Sequence, residues 1–195
     1  MPASPSDEAL MMHLCDGDEE ALNTLMDRWG KPVVGFTVRY CWNYRVAADL
    51  AQETFVKVYE NRRCFCPSGK FSTWIFAITI NLCRNHSRWK SRPPLGSTST
   101  RTEDDCEADL LDKIADSAEQ PDHQAIQTDE GEMVRSAVLE LPHDLKTAVI
   151  LSEFHGMSHC EIAEIARSTP KAVEARLDQA RHFLRKKLIG LVELD

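Results

Sequence analysis

Apolar residues recur three and four positions apart along almost the whole chain, and alternating apolar–polar runs are nearly absent. That period belongs to helices and argues against a sheet-built fold. Asp7 to Trp29 carries Leu10, Leu14, Leu22, Leu25 and Met26 on one side, with a break marked by Gly17 and Asp18. Pro32 to Asn43 reads as a second helix and Val46 to Glu60 as a third. Asn61 to Lys70 holds Pro67 and Gly69 and reads as a loop, and Ser72 is placed to cap a fourth helix running to about Trp89.

The pattern then stops. Pro93-Pro94-Leu95-Gly96-Ser97-Thr98-Ser99-Thr100 has a linker composition, and the acidic stretch after it has room for at most a short helix around Leu110, Leu111 and Ile114. Helical spacing resumes near Asp129, with Met133, Val134, Ala137, Val138 and Leu141 on one helix. Pro142 suits the first turn of the next, which runs to about Phe154 with Gly156 just beyond. Ser158-His159-Cys160-Glu161 is a capping-box pattern ahead of Ile162, Ala163, Ile165 and Ala166. Thr169 caps a last helix with Pro170 in its first position. The expectation is an all-α chain: two small helical domains, 1–90 and 129–195, joined by a flexible acidic linker, 91–128.

Charge is distributed unevenly. The net charge of −8 runs against nucleic-acid binding, yet Asn61 to Thr102 holds eight basic residues and no acid. Glu103 to Glu132 holds twelve acids against the single base Lys113. After Met133 the two signs balance at nine each, and the last helix is locally basic at Arg181, Arg185, Lys186 and Lys187. The acidity is therefore a property of the middle segment. A charge run is ordinarily just a solvated surface, but forty-two residues without one acid favour a polyanionic partner.

Several classes drop out. No apolar run approaches the roughly 18 residues that span a bilayer. The start, Met1-Pro2-Ala3-Ser4-Pro5-Ser6-Asp7-Glu8, lacks the basic-then-apolar pattern of a signal peptide. A cytoplasmic location without membrane insertion is expected. Seven cysteines are scattered at 15, 41, 64, 66, 83, 106 and 160, with no CxxC pair. Cys64 with Cys66, and His155 with His159 and Cys160, leave a metal option open, but four ligands at fixed spacing are not visible, so no cofactor is expected. No phosphate loop, nucleophile motif or zinc signature supports an enzyme.

The last two helices are separated by Arg167-Ser168-Thr169, the spacing of a helix-turn-helix. Val173, Leu177, Ala180, Leu184 and Leu188 form the buried stripe of the second, and the opposite face carries Lys171, Glu174, Ala175, Asp178, His182 and Arg185. Ser168, Thr169 and Lys171 at its start suit phosphate contact, while Arg176 and Gln179 have the reach for base edges or phosphates. An ordinary amphipathic hairpin in a bundle is the alternative.

Two sets of residues resemble a known family. Leu141-Pro142, Gly156-Met157-Ser158, Glu161-Ile162-Ala163, Val173, Arg176-Leu177, Ala180-Arg181 and Leu184-Arg185 are similar to the promoter-upstream-binding domain of bacterial RNA polymerase sigma factors. Independently, Asp49-Leu50-Ala51-Gln52-Glu53-Thr54-Phe55 resembles the sigma helix that docks on core polymerase. Phe71-Ser72-Thr73-Trp74-Ile75, with Asn81 and Arg84-Asn85, resembles the adjoining segment that opens and reads the −10 element. Two domains without the central one of larger relatives point to the extracytoplasmic-function (ECF) group. The resemblance implies core RNA polymerase and promoter DNA as partners, and an anti-sigma protein as inhibitor.

It also implies roles. Asp49, Gln52 and Glu53 would lead the polymerase contact from the outward face of their helix. Arg62, Arg63, Lys70, Arg84 and Arg88 would meet the −10 backbone, with Asn81, Asn85 and Trp74 near bases, although Trp74 reads equally well as core. Ser168, Thr169, Lys171, Glu174, Ala175, Arg176, Asp178, Gln179 and Arg181 would form the −35 surface. Glu174 and Asp178 depart from the family, which usually offers basic or neutral groups there, and the turn lacks its common glycine. Such acids imply an atypical −35 sequence or weak −35 dependence, since a carboxylate accepts from the cytosine N4 amine but is repelled by phosphate. The acidic linker reads as a plain tether or as a segment threading polymerase channels. A helix-turn-helix regulator that never joins polymerase would explain the second half but leave Asp49–Phe55 idle.

Overall fold

A computed structural model describes residues 5–90 and 129–192; the expected linker, and the short helix around Leu110, lie outside the described residues. Every regular element among the described residues is helical. The first half comprises α1 (Asp7–Cys15), α2 (Glu20–Cys41), α3 (Tyr44–Glu60), a 3₁₀ turn (Arg62–Cys64) and α4 (Phe71–Lys90). The second comprises α5 (Asp129–Glu140), α6 (His143–Val149) running into a π-helical turn (Ile150–Phe154), α7 (His159–Ile165) and α8 (Pro170–Val192).

Caps explain most of the boundaries. The Ser6 hydroxyl accepts from the Ala9 N–H at 3.2 Å and starts α1. Gly17, at φ +101°, ends it, with Asp18 N–H donating to the His13 carbonyl and Gly17 N–H to Leu14. The Asn43 side chain caps α3 at the Val46 N–H, 3.1 Å. The Ser158–Glu161 capping box forms in full.

Two expectations are corrected. Helix α2 is a single helix, with Pro32 inside it rather than opening a new one. An interior proline costs about 3 kcal/mol, but Ala21, Leu25, Val33, Val34, Phe36, Thr37 and Tyr40 are all buried along that helix, and tertiary packing holds it continuous. Helix α4 begins at Phe71 and not after a Ser72 cap. Its first N–H is taken by the Glu8 carboxylate of α1 at 3.1 Å, a long-range cap that also holds Glu8 below the usual carboxylate range.

The core of the first half is aromatic. Trp29, Phe36, Phe71 and Phe76 meet edge-to-face with ring centroids 5.7–6.2 Å apart. Arg28 and Trp29 both bond Asp7, at 2.8 and 2.9 Å, fixing α1 on α2. In the second half α8 packs on α5, α6 and α7, and Val173, Leu177 and Ala180 are buried along it, as are Leu141, Ala148, Leu151, Ile162 and Ala163 in the rest of that half.

The helix-turn-helix turn is a Schellman motif: Ser168 N–H donates to Ala163 at 2.8 Å and Arg167 N–H to Glu164 at 3.2 Å. Arg167 itself sits at φ +48°, in the left-handed region that glycine adopts without strain. An R167G substitution is expected to raise stability by about 0.5–1 kcal/mol. A urea midpoint shifted upward at constant slope would show it; an unchanged or lower midpoint would contradict it.

Candidate nucleic-acid interface

The face of α3 is built as its spacing dictates. Ala47, Ala48, Leu50, Ala51, Thr54, Phe55 and Val58 are buried, and Asp49, Gln52 and Glu53 are exposed. None of these three is drawn into a hydrogen bond among the described residues. Val56 lies seven residues after Asp49 on the same face and is 53% exposed. An exposed valine on a polar stripe was legible in the sequence as one more position of the i, i+3, i+4, i+7 series, and was missed there.

The basic segment divides. Arg63 and Arg88 are exposed, as are Asn81 and Asn85. Arg62 is not free to roam: its guanidinium lies 4.2 Å over the Tyr59 ring and donates to the Tyr59 carbonyl at 2.7 Å. Trp74 is half-buried, edge-on to Phe65 at 5.3 Å and tilted against Phe71 at 6.2 Å. It therefore completes the aromatic cluster while keeping one edge outward.

Lys70 and Arg84 meet the second half of the chain. Lys70 Nζ sits 2.7 Å from Glu161 and Arg84 3.2 Å from Asp144. Lys70, joined by the Ser158 N–H and hydroxyl, holds the Glu161 carboxyl down to about 2. Around these pairs the halves pack along a seam. The Tyr40 hydroxyl bonds His143 Nδ1, His155 lies 4.8 Å from the Phe76 ring, and Arg39 lies 4.4 Å over Phe154. Asn81, Arg84, Arg167 and Arg176 line a cavity of about 210 Å³ between the halves.

On α8, Lys171, Glu174, Ala175, Asp178, Gln179 and Arg181 are exposed, and Thr169 caps the helix by accepting from Ala172 N–H at 3.2 Å. Ser168 and Arg176 are half-buried and bonded to each other at 3.3 Å. Arg181 lies 3.4 Å from Glu153 and 3.5 Å from Asp178, so the basic charge at that end of the surface is already partly compensated. Glu174 is left with neither hydrogen bond nor ion pair among the described residues. The described residues contain no group of three His, Cys, Asp or Glu that would hold a metal, and no helix among them is long and apolar enough to cross a membrane.

The geometry is thus an acidic helix face, a basic helix-and-loop surface and a helix-turn-helix. The family model of sigma-70 region 2 matches residues 25–92, and that of sigma-70 region 4 matches 131–184. The RNA polymerase sigma-H factor of Pseudomonas aeruginosa is 30% identical over 98% of each chain. The ECF RNA polymerase sigma-E factor of Haemophilus influenzae is 30% identical over 96% of this chain and 97% of its own. Among solved structures, CnrH in complex with the cytosolic domain of CnrY shares the fold, with a TM-score of 0.66 and 21% identity over 98% of this chain and 99% of CnrH. The sigma factor RpoE from Bartonella quintana, in complex with the anti-sigma factor NepR, does so at 0.59 and 19% identity over 85% and 95%. With both halves matched in order and a relative 30% identical end to end, the chain belongs to the ECF group of RNA polymerase sigma factors, which bind core polymerase and direct promoter-specific initiation.

Proposed function

We propose that residues 1–90 carry the polymerase contact and the −10 surface, that 129–195 carry the −35 surface, and that 91–128 tether them. The family matches at 25–92 and 131–184 support this division. Asp49, Gln52 and Glu53, extended by Val56, dock core polymerase: an exposed acidic face with an apolar end supports that role. Arg63, Lys70, Arg84 and Arg88 take phosphates, while Asn81 and Asn85 face bases. Trp74 offers an aromatic edge beside them. Arg62 acts through its grip on Tyr59 and shapes the loop. The pairing of Lys70 with Glu161 and Arg84 with Asp144 is the observation that carries this reading: both cations sit where a carboxylate stands in for a phosphate oxygen. Promoter DNA then has to displace those carboxylates, which requires the halves to part.

The −35 surface is Ser168, Thr169, Lys171, Glu174, Ala175, Arg176, Asp178, Gln179 and Arg181. Glu174 accepts from a cytosine amine, and Asp178, shared with Arg181, tunes its neighbour. An E174K variant is expected to change −35 preference at one position and shift affinity at least about tenfold, measured by binding to a randomised −35 library at fixed salt. Unchanged preference together with unchanged affinity would sink the assignment. The protein works in the cytoplasm, has no catalytic centre of its own, and is inhibited by an anti-sigma protein. Support for the inhibitor comes from CnrH and RpoE, which share this fold and whose solved complexes are with CnrY and NepR.

A further inference from the structure

The cavity of about 210 Å³ between the halves gathers more positive charge than the fold pairs off. Helix α4 contributes Asn81 and Arg84 to its wall, α6 contributes His143 and Thr147, and the turn and α8 contribute Arg167 and Arg176. Three guanidiniums thus share a space with one carboxylate, Asp144, which lies 3.2 Å from Arg84. Arg176 has only the Ser168 hydroxyl, at 3.3 Å, and Arg167 has neither hydrogen bond nor ion pair among the described residues. Like charges gathered in this way repel unless an anion stands between them. Two neutral groups point to the same conclusion. Thr147 is 4% exposed, lines the cavity, and its hydroxyl is bonded to nothing among the described residues. A helical threonine ordinarily returns its hydroxyl to the carbonyl four residues back, as Thr54 and Thr79 do at 2.8 and 2.9 Å. His143 Nε2 is also buried and unbonded, with Asp144 standing off at 3.9 Å. Burial first, then Arg84, keeps that ring neutral, and with the Tyr40 hydroxyl donating to Nδ1 the Nε2–H is a donor without an acceptor.

We propose that this cavity binds a small free phosphate, a phosphate monoester or a diphosphate, held by Arg84 from one half and by Arg167 and Arg176 from the other, with Thr147 Oγ1, His143 Nε2 and the Asn81 amide completing the site. The donor set selects the class. A carboxylate offers about four lone-pair sites, fewer than three planar forks, a hydroxyl, an amide and a ring N–H supply. Phosphate oxygens spread over a tetrahedron and take guanidinium forks in pairs. Size sets the upper limit: about 210 Å³ falls below the roughly 300 Å³ at which drug-sized sites begin, so the organic part is small. A space of that size, closed between packed halves, does not admit a duplex, so the phosphate comes from solution. Bound across the seam, it ties α4 to the turn and α8 and keeps Arg84 and Arg176 from promoter DNA. That last consequence rests on the promoter roles proposed above; the binding itself does not.

The test is calorimetric titration of the full-length chain with inorganic diphosphate, and separately with inorganic phosphate, each against sodium chloride at equal ionic strength. One diphosphate site with a dissociation constant below about 1 mM is expected, and no site for chloride. Two variants locate it. R167G removes a cation and relieves the left-handed backbone, so it should fold at least as well as wild type and bind at least about tenfold more weakly. T147V is isosteric at a hydroxyl the fold leaves unbonded, so it should fold normally and bind about fivefold more weakly. Wild-type affinity in both folded variants puts the anion elsewhere on the basic surface and overturns the proposal, as does the absence of a diphosphate site in the wild-type chain. Hydrogen exchange over residues 77–84 and 143–149 is expected to slow at saturating diphosphate, and identical exchange with and without it overturns the bridging of the halves. Promoter DNA enters none of these readouts, so their failure and the failure of the promoter assignment are separate results.

Discussion

Reversing both charges on the α3 face, as D49K/E53K, is expected to weaken binding to core polymerase at least about a hundredfold while leaving the fold within about 0.5 kcal/mol of wild type. Both side chains are exposed and neither is hydrogen-bonded among the described residues, so folding has little to lose. At an interface the same positions place a cation where the partner expects an acid, and a close like-charge contact costs several kcal/mol. Fluorescence polarisation of labelled protein against core polymerase measures the first effect and urea denaturation the second. Wild-type affinity in a folded double variant would remove this face from the interface. V56D should act in the same direction, through the apolar end of the stripe.

The second large effect is on pH. His143 and His155 lie along the seam, and burial first, then Arg84 for one and Arg39 for the other, pushes each from 6.5 down to about 4. The facing groups are Tyr40, Phe36, Phe76, Arg39, Arg84, Arg88, Asp144 and Lys146. Nε2 of both rings is buried without a hydrogen-bond partner among the described residues, and the carboxylate facing His143 Nε2, Asp144, stands off at 3.9 Å, so a proton gained there is poorly compensated. Unfolded rings take a proton as pH falls through 6.5, whereas folded rings wait until about 4. Stability is therefore full above 6.5, declines between 6.5 and 4, and is flat in this respect below. Complete transfer would be worth about 3 kcal/mol per ring; because neither ring is fully buried, about 1–2 kcal/mol each is expected. Urea titrations between about pH 7 and 5, above the carboxylate range, isolate the histidines. An H143Q/H155F variant should lose the slope, and a slope equal to wild type would contradict the account.

How much of this was legible in the sequence depends on the range of the interactions. Caps within four residues read directly: the Ser158–Glu161 box and Thr169 stand where their spacing puts them. The turn at Arg167 read as atypical because it lacks glycine, and the left-handed backbone there is the physical content of that departure. Pro32 misled, because local propensity argued for a break while burial on both sides of it kept α2 whole. Ser72 misled for the opposite reason: a cap arrives from Glu8, sixty-three residues away, and no local pattern signals it.

The candidate sites divide along the same line. The α3 face follows from helical period alone, Val56 included, although its place seven residues after Asp49 was overlooked. The surface of α8 follows too, with Glu174 and Asp178 outward as expected. What the sequence hid is pairing between halves. Lys70 and Arg84 were legible as cations in an acid-free segment, but their partners Glu161 and Asp144 lie ninety-one and sixty residues on. Tyr40 with His143 is likewise a product of packing rather than of pattern.

The central claim is that this chain makes core polymerase start at promoters of its own choosing. The most direct measurement is transcription in vitro: purified chain, core polymerase lacking any other sigma factor, no inhibitor, and a library of promoter fragments. The account predicts a stable complex with core and discrete transcripts from a subset of fragments sharing −10 and −35 sequences, abolished in D49K/E53K. A folded chain that forms no complex with core, or that binds promoter DNA alone without initiating any transcript, would contradict it.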